Sequence, residues 1–312
     1  MTAPVAAIDC GTNSIRLLIA RPRPDGGLDD LERHMEIVRL GYGVDRTGRF
    51  DPVAIDRTLD AARRYAELIR HHGVERLRFV ATSATRDAAN RDDFIGPVRE
   101  ILGVSPEVVS GDEEARLSFT GAVETLGVLP DGPRLVVDIG GGSTELVLGE
   151  SVPEAAISLD IGSVRMTERH LQGDPPGEEQ IRAAITDIDA QLDRAEETVD
   201  LARVRTLIGV AGTVTTVTAV AEGVTEYSPD VTHGATLPIE RSLAVCDALL
   251  TASRSARSEH ACIHPGRIDV IGAGALIWAR VLTRVAARAG LESSRTSEHD
   301  ILDGIALSIA RG

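Results

Sequence analysis

Two segments of this chain, DCGTNSIRLLIA at 9–20 and DIGGGSTELVLG at 138–149, set the same side chains in the same register: Asp9 with Asp138, Gly11 with Gly140, Ser14 with Ser143, Leu17 with Leu146. Each segment is flanked by apolar runs and reads as strand, tight turn, strand. Glycine leaves room for backbone N–H groups to approach an anion. In the first loop Gly11, Thr12, Asn13 and Ser14, and in the second Gly140, Gly141, Gly142 and Ser143, are candidate phosphate-binding residues. Asp9 and Asp138 end their strands just before the loops, where a carboxylate holds a hard cation directly or through water, as Mg²⁺ prefers. The chemistry implied is the handling of a polyphosphate group with a metal ion, between two related halves facing each other across a cleft.

The halves differ at one position. Glu145 follows Asp138 by seven residues on the outgoing strand, and the equivalent residue of the first hairpin is Arg16. An extra carboxylate beside a phosphate loop suits metal or water handling. Residues 110–116, SGDEEAR, place Glu113 and Glu114 in the first turn of a helix. Acids there favour the helix dipole, and one aimed at a bound phosphate could deprotonate a water. The two lie about 100° apart around the helix, so only one of them faces the phosphate. Arg86, in TSATRDA, sits at a strand-to-helix corner and offers a planar fork for phosphate oxygens. Arg39 and Arg116 are further candidates. GVAGTVTTV (209–217) and DVIGAGALIW (269–278) fit either phosphate-adjacent turns or glycines that let helices pack on strands, and neither completes a dinucleotide fingerprint.

Positioning these residues requires strands over 4–9, 15–20, 35–40, 76–82 and 105–110, with helices over 53–71 and 91–102 and a third from Gly111. After the turn LPDGP a second block follows: strands 134–139, 144–149 and 155–160, helices 163–171 and 178–196, a buried strand at 205–212, helices near 213–221, 239–251 and 266–288, and a last helix capped by Ser297. Strands then alternating helices, in two halves, describe an α/β protein of two similar domains. The 312 residues, 43% of them hydrophobic, suffice for two cores.

Composition removes several reaction classes. The chain has no lysine, so a Walker lysine, a Schiff base and the protein-kinase lysine are excluded. A net charge of −15 argues against nucleic-acid binding, which draws its affinity from phosphate neutralisation. Cys10, Cys246 and Cys262 are scattered, which fits a reducing compartment. His260 and His264 flank Cys262 without the usual zinc spacing. The apolar stretches are too short for a bilayer span, and the chain enters a strand with no leader pattern. A cytoplasmic protein without a membrane partner is expected.

The succession DCGTNS, RLGYGVD, ATSATRDA, SGDEEARLSF, VVDIGGGSTELVLG, DIGSVRMTE, VAGTVTT and RIDVIGAGALI resembles the exopolyphosphatase / guanosine pentaphosphate phosphohydrolase (Ppx/GppA) family, in its short two-domain form. The resemblance implies two ribonuclease-H-like domains of the actin, sugar-kinase and chaperone-ATPase superfamily. Domain I would cover 1–122 plus 298–312, with the last helix returning to it, and domain II 123–297. It further implies Glu114 as the water-activating base, Asp138 and Glu145, with Asp9, as metal ligands, Mg²⁺ or Mn²⁺ as the ion, and Arg86 among the phosphate ligands. The implied substrate is inorganic polyphosphate, in short chains, or guanosine pentaphosphate (pppGpp), and the implied assembly is a homodimer; a non-catalytic sensor that binds polyphosphate or the alarmone is the alternative.

Overall fold

The structure, a computed structural model, describes residues 2–311. The chain divides into two compact units, Met1–Gly121 with Ile301–Gly312, and Ala122–Asp300. In unit 1 the elements are β1 (Val5–Cys10), β2 (Ser14–Pro22), β3 (Leu28–Ile37), α1 (Val44–Thr47), α2 (Pro52–His71), β4 (Arg76–Ala81), α3 (Ser83–Asp87), α4 (Asp92–Leu102), β5 (Glu107–Val108) and α5 (Gly111–Thr125), whose last turn runs into unit 2. Unit 2 continues with β6 (Arg134–Ile139), β7 (Thr144–Gly149), β8 (Pro153–Leu159), α6 (Ser163–Arg169), α7 (Glu178–Glu196), β9 (Thr206–Val210), α8 (Ala211–Glu222), α9 (Pro229–Thr232), β10 (Thr236–Pro238), α10 (Ile239–Thr251), α11 (Arg254–Ser258), α12 (Ile271–Ala289) and β11 (Ser293–Thr296). Then α13 (Ile301–Arg311) returns to unit 1.

The two sheets have one plan. Unit 1 orders its strands β3-β2-β1-β4-β5, and unit 2 orders them β10-β11-β9-β6-β7-β8. Read from β8, the second sheet repeats the first and adds β10 as an edge. In each, two antiparallel hairpin strands precede parallel crossovers. This is the ribonuclease-H-like arrangement the resemblance implied, present twice. Register repeats too: Asp9 lies opposite Arg16, and Asp138 opposite Glu145.

Strands β1, β7 and β9 are buried along their whole length, and β6 from Leu135 on, because helices cover both faces. On one face of the first sheet, Ile8, Ile15, Leu17 and Ile19 pack with Ile55, Leu59 and Tyr65 of α2 and with Phe94 and Val98 of α4. Helix α2 starts sharply, since the Asp51 carboxylate accepts the N–H groups of Val53 and Ala54 and Pro52 occupies the first turn. The other face packs Ala7, Leu18, Ala20 and Val80 against Leu117 of α5 and Ile301, Leu302, Ile305 and Ala306 of α13. Among the described residues, no helix is long and apolar enough to cross a membrane.

Several boundaries differ from the periodicity reading. The strand expected at 35–40 is β3, ending at Ile37, and residues 38–43 turn back toward the first loop. The strand expected at 105–110 pairs only at Glu107 and Val108. Helix α12 begins at Ile271, after a 3₁₀ turn at Pro265–Arg267. The short strands β10 and β11 carry no alternation long enough to announce them. Ser297 does not cap the last helix. Its Oγ accepts the His299 N–H at 3.1 Å and donates to the His299 carbonyl at 2.9 Å, holding 297–300 in a turn, and α13 starts at Ile301.

Helix α13 reaches the sheet only because Gly304 lies flat against α5. A Cβ at Gly304 would sit 2.0 Å from the Leu117 carbonyl oxygen, which is backbone and cannot yield without moving the helix. Gly304→Ala is expected to destabilise unit 1 by about 1–3 kcal/mol through overpacking. Denaturant unfolding would show it as a lowered midpoint at unchanged slope.

Candidate active site

Each loop closes with the same bond: the N–H of Gly11 donates to the Ser14 carbonyl at 3.0 Å, and that of Gly140 to the Ser143 carbonyl at 3.0 Å. Each is then pinned from behind by the segment following the third strand of its sheet. In unit 1 the N–H groups of Val38 and Arg39 donate to the Asn13 carbonyl at 3.0 and 2.9 Å, and that of Gly41 to the Thr12 carbonyl at 2.9 Å. In unit 2 the N–H of Ser163 donates to the Gly140 carbonyl at 2.9 Å, and those of Val164 and Arg165 to the Gly141 carbonyl at 2.8 and 3.1 Å. The Arg165 side chain donates from Nε to the Gly142 carbonyl at 2.7 Å.

The consequence follows from planarity. In a trans peptide the C=O of one residue and the N–H of the next point in opposite directions. With the carbonyls of 140, 141 and 142 turned toward α6, the N–H groups of Gly141, Gly142 and Ser143 point away from it. The pins at Thr12 and Asn13 do the same for the N–H groups of Asn13 and Ser14. Both loops therefore present successive amide dipoles on one side, which is how backbone binds phosphate.

Each brace needs a glycine. A Cβ at Gly41 would lie 2.4 Å from Thr12 Cγ2, and one at Gly162 2.4 Å from the Gly141 carbonyl carbon. Around the first loop, Thr12 Oγ1 and Ser83 Oγ are 3.0 Å apart, and Asn13 Oδ1 is buried without a hydrogen-bond partner. Arg39 holds a left-handed φ of 52° in the brace, an unusual conformation for a residue with a Cβ.

The charged residues fall into two groups. In unit 1, Glu114 is buried on the first turn of α5. Its Oε2 accepts from Arg86 Nη1 at 2.7 Å, and it also accepts the Thr82 hydroxyl. Burial raises the Glu114 carboxyl above the usual glutamate range; Arg86 and Thr82 pull it down, and the neighbouring Asp9 charge adds to the rise. Thr82 is followed by Ser83, the partner of Thr12, so the base candidate and the first loop share one corner between β4 and α3. Glu113 turns elsewhere, to Arg78 at 2.5 Å. Arg86 also donates to the Val109 carbonyl at 3.0 Å, which ties its guanidinium to Glu114 and the chain beneath it. Asp9 Oδ2 accepts from Arg16 Nε and Nη2 at 2.9 and 2.6 Å.

In unit 2, Asp138 and Glu145 are buried cross-strand neighbours, 6% and 1% exposed. Ser158 on β8 donates to Glu145 Oε1 at 2.7 Å. Two buried carboxylates side by side favour a shared proton or a divalent cation. Two hard oxygen donors beside a row of amides fit Mg²⁺ or Mn²⁺, since Mg²⁺ is usually bound through one or two carboxylates, waters and the substrate's own phosphates. Among the described residues, no group of three or more His, Cys, Asp or Glu is placed to hold a metal.

Other candidates have structural places. Burial pushes the Cys10 thiol well above its ordinary value, so it is an inert filler of β1. Cys262 is buried, and His264 Nδ1 accepts the Gly266 N–H at 3.0 Å. Gly209 and Gly274 are packing positions, where a Cβ would lie 2.6 Å from Val214 and 2.5 Å from Thr213. The residues that sequence reasoning missed are the braces Gly41, Gly162, Ser163 and Arg165, and the orienting hydroxyls Thr82 and Ser158. One signal for the braces was present: RLGYG and DIGS each follow the third strand of a repeat.

The sequence profile of the Ppx/GppA phosphatase family matches residues 18–309. The chain is 49% identical to Exopolyphosphatase 2 of Mycobacterium tuberculosis, over 98% of each protein. Its fold superposes on the crystal structure of an exopolyphosphatase-like protein with a TM-score of 0.96 at 50% identity, covering 99% of this chain and 98% of the other. The Aquifex aeolicus member of the Ppx/GppA family matches with a TM-score of 0.79 at 31% identity, over 98% and 96%.

Because Arg86 favours the ionised Glu114, Arg86→Met should raise the proton affinity of Glu114. Were Glu114 the base of phosphate release, the acid limb of kcat/KM would move to higher pH, by about one unit or more for loss of an adjacent opposite charge. A pH–rate profile of the two proteins measures it, and an unmoved limb would contradict the pairing.

Proposed function

The chain belongs to the Ppx/GppA phosphatase family, and on that premise we propose that it is an exopolyphosphatase, a hydrolase that removes the terminal phosphate of inorganic polyphosphate with Mg²⁺ and a water activated by Glu114. The observation that carries this reading is the corner in unit 1: a buried carboxylate with elevated proton affinity is held by Arg86 and by Thr82, and Thr82 is followed in the chain by Ser83, whose side chain contacts a phosphate-type loop.

Phosphoryl transfer needs positioning and charge stabilisation more than covalent help. In unit 1 the amides of Asn13 and Ser14 address phosphate oxygens, with the side chains of Thr12, Asn13 and Ser14 beside them; in unit 2 the amides of Gly141, Gly142 and Ser143 do so, with the Ser143 side chain. Glu114 accepts a proton from the attacking water. The water oxygen bonds to the terminal phosphorus, the anhydride bond to the next phosphate breaks, and orthophosphate leaves with a chain one unit shorter. Asp138 and Glu145 would hold the cation, which supplies charge neutralisation for a polyanion approaching a protein of net charge −15. Asp9 is claimed by Arg16, so the ion is assigned to the second hairpin. Arg86 acts on the base more than on phosphate. The reading needs no nucleophilic side chain.

Two experiments test it. Glu114→Gln is expected to lower turnover by about 10²–10⁴-fold, the usual worth of a general base, while substrate binding is kept. Near-normal turnover would remove Glu114 from the role. Phosphate release from size-fractionated polyphosphate, pppGpp and ATP, with and without Mg²⁺ or Mn²⁺, is expected to be metal-dependent and highest on short polyphosphate. Preference for pppGpp would make the protein a nucleotide phosphohydrolase using the same residues, and binding without release would make it a sensor.

A further inference from the structure

We propose that Arg165 is a positioning residue for the reaction: its guanidinium fixes the Gly142–Ser143 peptide so that the Ser143 amide addresses the bound phosphate. The proposal rests on the reading of the second loop as a phosphate cradle.

The two hairpins are equivalent residue by residue, so Thr12 corresponds to Gly141 and Asn13 to Gly142. The first carbonyl of each pair is held by backbone: Gly41 N–H in unit 1, and the N–H groups of Val164 and Arg165 in unit 2. At the second carbonyl the halves part. Asn13 is held by two backbone donors, Val38 and Arg39. Gly142 is held by a side chain, Arg165 Nε at 2.7 Å. A backbone pin comes with the fold, whereas a side-chain pin depends on one residue's identity.

The position also matters more in unit 2. Gly142 has no Cβ, so its peptide turns more freely than that of Asn13. Holding the Gly142 oxygen toward Arg165 directs the Ser143 N–H the opposite way, in line with the N–H groups of Gly141 and Gly142. Arginine suits the task because its Nε–H lies within a rigid plane whose charge strengthens the bond to the carbonyl. Half-buried Arg165 sits in the first turn of α6, next to the backbone N–H groups that pin Gly140 and Gly141, so one short element sets all three carbonyls.

The test uses the full-length protein and tripolyphosphate with Mg²⁺ as the probe, in the Glu114→Gln background so that binding is read without turnover. Calorimetric titration of Glu114→Gln and of Glu114→Gln/Arg165→Met is expected to show the second binding about ten- to a hundredfold more weakly, the scale of a lost charge-assisted hydrogen bond. Glu114→Gln/Arg165→Lys, which keeps a charged donor, is expected to recover part of that loss. Melting temperatures taken alongside separate a local change from unfolding, and Arg165→Gln replaces the Met variant, read the same way, if the latter does not fold. Equal binding by the first two proteins overturns the role of Arg165 and leaves the cradle standing. A Lys variant as weak as the Met variant also overturns it. No binding by Glu114→Gln alone removes the cradle reading, and this inference with it.

Discussion

Pinned carbonyls organise this molecule. A loop of glycines and small polar residues has too much freedom to hold an anion by itself, since each amide can turn. Here the oxygens of both loops are occupied from behind by Val38–Gly41 in one unit and by Ser163–Arg165 in the other. Planar peptides then leave the N–H groups on the opposite side without further instruction. The remaining features follow from keeping those braces in place: a third strand that ends just before them, a glycine in each that lets the brace lie against its loop, and strands buried on both faces that keep the hairpin still.

Against that shared frame, the differences between the halves read as a division of labour. Opposite the first aspartate stands Arg16, and opposite the second stands Glu145. One pair joins an acid to a base and the other sets two carboxylates together, so a cation has reason to prefer the second. The carboxylate suited to proton transfer stands beside the first loop, where Arg86 lowers its proton affinity and burial raises it. A duplicated scaffold thus carries a carboxylate suited to proton transfer on one copy and hard-oxygen donors on the other.

Much of this was legible in the sequence wherever the determinants are local. The hairpins show because Asp, Gly and Ser fall within six residues of one another, and the α/β class shows because apolar runs alternate with helical periods. What stayed hidden depends on contacts between distant segments. The choice between Glu113 and Glu114 is made by Arg78 and Arg86, which reach them from β4 and α3. Arg86, read from its corner as a phosphate ligand, also donates from Nη1 to Glu114 and to the Val109 carbonyl, contacts that local spacing does not announce. Placing the third strand at 35–40 absorbed Arg39 and Leu40 into a strand tail and concealed the first brace. Ser297 looked like a cap because a serine before a helix usually is one; here its hydroxyl closes a turn ahead of the helix.

The crossing of α13 back to the first sheet has a consequence for biosynthesis. Residues 122–300 form a continuous stretch that emerges from the ribosome with every strand of its own sheet. The N-terminal unit lacks this independence. Ala7, Leu18 and Val80 remain without part of their cover until Ile301–Ala306 are translated, after the whole of the other unit. Vectorial synthesis ordinarily lets the first-made domain mature first; in this protein the earliest residues are the last to complete their core.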